Sequence, residues 1–280
     1  MPFLSAMLPR RAATPPAIPS LEAQVAGLDL LRCVSRRRLL HLEPGAEPCL
    51  AFMHLQAAAE VLRDALDLSP GSDLSRHLDE AIALRLLEAL SDPATVIGAG
   101  PLAALGASVT ATAKLSGGSG SAEVSAPLGA SLNAEAPLLV ELPARAVVAG
   151  ALPRGLGATP VAALPLASAA DPMAFAAVAA QARLAGWGVA LCGLTANTLG
   201  WLRPHPIAAD WFILHWSEAL RGGAALAGLR QLDPARIILT GCDTDAALDW
   251  GRSLQIRVFG GRWSDSAATS LSASPAGAIA

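Results

Sequence analysis

Tyrosine is absent from the 280 residues, and lysine occurs once, at Lys114. Aromatic side chains are few, with six Trp and five Phe, so much of the 53% hydrophobic content is alanine, which buries little area per residue. No excess of positive charge exists: the formal net charge is −3, which argues against a nucleic-acid partner held on a basic surface. The run Arg36-Arg37-Arg38 is read as the solvated end of a helix or strand. The four cysteines, Cys33, Cys49, Cys192 and Cys242, form no C-x-x-C pair. That spacing excludes a disulfide framework and fits free thiols in a reducing cytoplasm. No secretory signal is expected, because Met1–Leu8 is too short for an apolar core and Pro9-Arg10-Arg11 follows it. The uncharged stretch Pro93–Ala113 carries glycines, threonines and Pro101, which make a poor spanning helix. The expectation is a soluble, cytoplasmic chain without a membrane partner.

What is present is regular punctuation. Residues 1–25 and 265–280 are Pro/Ala-rich and Ser/Ala-rich and are expected to be disordered tails around a domain over 26–264. Leu55–Leu68 is predicted as a helix with Leu55, Leu62 and Leu66 on one face. A second helix is predicted from Asp73, with Leu74, Leu78, Ile82 and Leu86 at i+4 spacing and Pro93 closing it. Gly117–Ser121 is a turn without the lysine-serine or lysine-threonine pair of a phosphate loop. From Leu138 onward apolar strands are expected at 138–142, 161–166, 187–192, 211–216, 236–240 and 256–259. Between them lie a helix from Asp171-Pro172 to Gly186, one from Ser217 to Arg230, and one capped by Thr244. Strands recurring about every 20–25 residues, apolar on both faces, indicate a parallel α/β sheet. The absence of a Gly-x-Gly-x-x-Gly turn favours a barrel over an open nucleotide-binding sheet.

Three segments at strand ends carry a family resemblance. They are Ala209–Ser217, Arg236–Asp243 continued by Ala247–Gly251, and Val258–Arg262. In order and spacing they resemble the second half of the EAL domain, the bacterial cyclic di-GMP phosphodiesterase barrel, and in particular a divergent alphaproteobacterial subgroup. The resemblance implies a TIM-like (β/α) barrel of the EAL type, incomplete or modified in its N-terminal half. It also implies two divalent metals, Mg²⁺ or Mn²⁺, held by oxygen ligands and activating water for in-line displacement.

Carried over by position, that ligand set is largely missing. The family's name motif falls in Pro48–His54, where no carboxylate occurs. The asparagine strand is placed in Ser108–Leu115, which has no asparagine, the first in the chain being Asn133. Glu141 is matched to a family glutamate and kept. The aspartate pair becomes Cys192-Gly193, the lysine Ile213, the two later glutamates Thr240 and Asp243, and the closing glutamine Gly260. Glu141 is expected to pair with an arginine at the barrel mouth, and Phe52-Met53 to fill the mouth with apolar surface. Cys192, His215, Asp243 and Glu141 share strand-end positions whose ligand types suit Zn²⁺, whereas Cys192 and Cys242 as small buried fillers is the plainer reading. Arg203, Arg252 and Arg262 are candidates for phosphate contact.

The resulting expectation is a catalytically inactive regulatory or protein-interaction module needing no cofactor, with a protein partner and, by resemblance, a homodimer. The alternatives are a cyclic di-GMP sensor without hydrolysis, or a divergent phosphodiesterase using Mg²⁺ or Mn²⁺.

Overall fold

The computed structural model describes residues 34–57, 69, 72–91, 136–156, 158–200 and 207–264. Both tails, the segment 108–115 and Arg203 lie outside them. Eight strands close into a barrel in sequence order. They are β1 (Val34–His41), β2 (Cys49–Ala57), β3 (Leu138–Glu141), β4 (Val161–Pro165), β5 (Gly188–Leu194), β6 (Trp211–His215), β7 (Ile237–Thr240) and β8 (Val258–Gly260). From β2 to β8 every neighbour is parallel, whereas β1 is antiparallel to both β2 and β8.

The reversal of β1 follows from its connection. Parallel neighbours need a crossover of roughly a dozen residues or more. Only residues 42–48 join β1 to β2, and Gly45 in that turn takes φ +77°, a conformation glycine adopts at little cost. The short turn permits an antiparallel pair alone. Val34 therefore lies opposite Ala57, and β1 starts at the end of the barrel where the other strands finish.

Period-two alternation then sorts side chains between two cores. Leu39, Phe52, Leu139, Val161, Ala163, Ala190, Ile213, Ile238 and Val258 point into the barrel. Phe52 meets Trp211 edge to face, with ring centroids 5.1 Å apart. The alternate residues, among them Met53, Leu55, Val140, Leu191, Leu214 and Phe259, pack outward beneath the helices. The continuous apolar runs seen in the sequence are strands buried on both faces.

The helices are α1 (Asp73–Ser91), α2 (Ala144–Val148), α3 (Pro172–Leu184), α4 (Ala196–Leu199), α5 (Gly223–Leu229) and α6 (Asp245–Ser253). Leu78, Ile82, Leu86 and Leu90 form the buried stripe of α1. Asp171 Oδ1 caps α3, accepting from the backbone N–H groups of Met173 (2.9 Å) and Ala174 (3.1 Å). Thr244 caps α6 through the Ala247 N–H at 3.3 Å. Among the described residues no helix is long and apolar enough to cross a membrane.

Three expectations change. Leu55–Ala57 ends β2 instead of beginning a helix, because Leu55 pairs with Val140 of β3; the remainder of that predicted helix lies outside the described residues. The helix expected over 217–230 breaks into a short 3₁₀ turn, Glu218–Arg221, and α5, because Gly222 is extended at φ −65° and ψ 144°. Arg36-Arg37-Arg38 is the middle of β1, not a solvated end, with Leu39 and Leu40 following it into the two cores.

Candidate barrel-mouth site

At the strand ends the inward alternation continues past the apolar layers with polar side chains. A cavity of about 420 Å³ opens there, and the lining that matters chemically is Arg37, His54, Gln56, Glu141, His215 and Thr240. Ile213, Cys192-Gly193 and Gly260 complete its wall. The reversed β1 is what brings Arg37 to this rim, opposite His54 of β2. The mouth is thus open and polar, not filled: Phe52 lies one inward position deeper than His54, and Met53 faces the outer core.

Glu141 pairs with a histidine, not with an arginine. His54 Nε2 lies 3.0 Å from Glu141 Oε1, the imidazole almost fully buried and the carboxylate partly so. With the carboxylate ionised, the imidazole N–H donates. Across the rim, Thr240 Oγ1 donates to the Leu214 carbonyl at 3.3 Å and sits 3.4 Å from His215 Nδ1. Gly241, at φ +73°, lies close to that ring: a Cβ there would come within 2.5 Å of His215 Cε1. Gly193, at φ +83°, is the irregularity inside β5 just after Cys192, where the β5–β6 register shifts.

Cys192 and Cys242 are both buried, and burial pushes both thiols up. The nearby Glu141 carboxylate adds to the effect at Cys192. Cys242, beside Asp243, is raised to about 12. Burial and the raised pKa both disfavour the reactive thiolate at these two positions.

The strand that the resemblance calls for in 108–115 lies outside the described residues. Among the described strands β3 is hydrogen-bonded directly to β2 and β4 directly to β3, so Glu141 ends the strand next to that of His54.

These residues do not fit a pair of hard divalent ions, which require several oxygen ligands each. The one carboxylate lining the mouth is held by His54, and Arg37 brings a positive charge to the same cavity. The zinc set Cys192, His215, Asp243 and Glu141 is not brought together either. Asp243 turns away, its Oδ1 accepting from the Arg262 N–H at 2.8 Å. Among the described residues no group of three or more His, Cys, Asp or Glu is placed to hold a metal. Of the candidate phosphate contacts, Arg252 pairs with Asp249 on α6 at 3.6 Å, and Arg262 lies beside Asp243; neither lines the mouth.

Sequence reasoning missed Arg37 and His54. The signal for His54 was available: Phe52, His54 and Gln56 alternate on a strand that points them all inward. Arg37 was hidden inside a run of three arginines.

No protein-family model matches the sequence, and no curated protein does. Among solved structures the chain is similar to the S helix-GGDEF-EAL portion of LapD from Vibrio cholerae, at 11% identity and a TM-score of 0.46 over 90% of this chain. It is similar also to the FimX EAL domain from Pseudomonas aeruginosa bound to c-di-GMP, at 11% identity and a TM-score of 0.42 over 86% of this chain. It spans 58% of the LapD structure and 94% of the FimX domain. With its eight strands closed in sequence order, the chain is an α/β barrel whose solved structural neighbours include EAL domains.

Proposed function

We propose that this protein is a catalytically silent EAL-like barrel, acting as a regulatory or protein-interaction module in cyclic di-GMP-type signalling. The observation that carries the reading is the composition of the mouth. Its single carboxylate is engaged by His54, and a buried neutral thiol, an isoleucine and a glycine stand where the resemblance requires an acid, a lysine and a glutamine. Two-metal displacement depends on ligands that generate hydroxide and neutralise the phosphodiester. This donor set supplies neither.

A second reading, a sensor that binds cyclic di-GMP without hydrolysing it, is favoured by Arg37. Its guanidinium offers hydrogen-bond donors into an open cavity of about 420 Å³. Arginine is well suited to phosphate recognition.

Calorimetric titration of purified protein with cyclic di-GMP, with Mn²⁺ present, tests both readings. Chromatography of the nucleotide after incubation accompanies it. Silence up to about 1 mM, where binding is worth about 4 kcal/mol, is the outcome expected of an interaction module. Micromolar binding with intact nucleotide, lost in Arg37→Ala, would establish the sensor. Linear product would overturn both readings in favour of a divergent phosphodiesterase.

A further inference from the structure

The mouth does not end at the barrel axis. A second cavity, of about 400 Å³, lies against α1 and shares Gln56, Glu141, Pro165 and Cys192 with the mouth. The two form one cleft, running from Arg37 of β1 past the ends of β3 and β4 to α1. Its outer half is lined by small apolar residues, among them Ala83, Leu142, Pro143 and Ala163. The two ends differ in sign. At the barrel end stands Arg37, which no ion pair engages among the described residues, while Glu141 is held by His54. At the outer end α1 presents the carboxylates of Asp79 and Glu80. Arg76, which also lines that end, is ion-paired with Asp73. Glu80 pairs with Arg145 at 2.5 Å, but both side chains are partly exposed, and surface pairs of this kind are weak enough for a ligand cation to replace.

A cleft with one cationic and one acidic end selects its occupant by charge, because like charges brought together are costly. A cyclic dinucleotide carries a pair of phosphodiester charges. Arg37 answers one of them, and the other would meet the carboxylates of α1. A peptide satisfies both ends at once, with an acidic side chain at Arg37, a basic one at Asp79 and Glu80, and its backbone along the apolar wall. We infer that this cleft receives an extended peptide segment of a protein partner, its acidic residue seated at Arg37 and its basic residue at the outer end. The inference rests on the reading of this protein as an interaction module, for which it names the surface and the chemistry of the partner.

The probes are labelled octapeptide libraries with one glutamate and one lysine fixed at stepped separations and the other positions randomised among uncharged residues. Matched libraries carry a pair of glutamates, a pair of lysines, or no charge. Binding to the full chain is read by fluorescence anisotropy. The mixed-charge library should bind at least tenfold more tightly than the matched ones at one separation. Arg37→Glu should lose that binding at least tenfold and gain affinity for the two-lysine library. Glu80→Lys, on the surface of α1, should shift preference toward the two-glutamate library. Circular dichroism establishes that each variant folds, and either one that folds decides the question. No binding up to about 1 mM, where the interaction is worth only about 4 kcal/mol, equal binding of all four libraries, or a preference unchanged in a folded variant would each overturn the inference. Failure of the underlying reading is seen separately, as linear product from cyclic di-GMP, whatever the peptides do.

Discussion

His54 and Glu141, 87 positions apart in sequence, meet at 3.0 Å across two adjacent strands at the barrel mouth. The register makes the pair: His54 lies opposite Leu139, so the next inward residue of β3 is Glu141. The imidazole is buried, and removing its acceptor leaves an unsatisfied N–H. Glu141→Leu should therefore cost about 1–3 kcal/mol in urea unfolding. The double variant His54→Leu/Glu141→Leu should recover most of that loss, because neither polar group then remains. Strict additivity of the two single changes would show that the pair is not coupled.

A second cross-link ties the opposite end of the barrel. Asp210 Oδ2 accepts from the Val189 N–H at 2.8 Å, its Oδ1 accepts from Arg183 at 2.9 Å, and Arg236 Nε donates to the Asp210 carbonyl at 3.0 Å. The carboxylate is partly exposed, which screens the ion pair, so the N–H bond carries most of the effect. Asp210→Ala should lower stability by about 1–2 kcal/mol, whereas Arg183→Ala should cost less than about 1 kcal/mol. Equal losses in thermal unfolding would reverse that ranking.

The parts of the fold legible in the sequence were those set by local pattern. The strands from Leu138 onward fall within two residues of expectation, because each is a short apolar run between turn residues. Helix α1 follows from its i+4 leucines, and α3 from Asp171-Pro172 and from Gly186 at φ +85°. The parts that were not legible depend on distant residues. Arg36 and Arg38 point out of the barrel while Arg37 points in, so three identical side chains conceal a strand. Burial, reinforced by Arg38, lowers the Arg36 pKa, which an exposed run would not do. The His54–Glu141 pair was hidden for a related reason: which strand neighbours β2 decides what meets His54, and no local motif carries that information.

The last glycine of β8 and the one that follows it give a ranking that tests the packing of the mouth. A Cβ on Gly261 would lie 2.6–2.7 Å from backbone atoms of Cys242, which cannot move without displacing the start of the loop after β7. A Cβ on Gly260 would instead collide with the Leu39 side chain, which has rotamers available although it is fully buried. Gly260→Ala should cost about 1–3 kcal/mol by overpacking. Gly261→Ala should cost more and shift the unfolding midpoint further. The reverse order would mean that Leu39 is the more rigid neighbour.

The thiols predict both a reactivity pattern and a pH dependence. Cys49 is exposed, whereas Cys192 and Cys242 are buried with raised pKa values. At pH 8, N-ethylmaleimide followed by mass spectrometry should modify Cys49 and spare Cys192 and Cys242 until the chain is unfolded. The sign of the linkage follows from Cys242, whose pKa rises from 9.0 to about 12 on folding. Below pH 9 the thiol is protonated in both states, so its contribution to stability is constant. Above pH 9 the unfolded chain loses this proton while the folded chain keeps it, and stability falls until the folded thiol ionises near pH 12. Denaturant midpoints should therefore decline between pH 9 and 11, and Cys242→Ala should flatten part of that decline. An unchanged slope in Cys242→Ala would mean that this thiol does not set the alkaline limit.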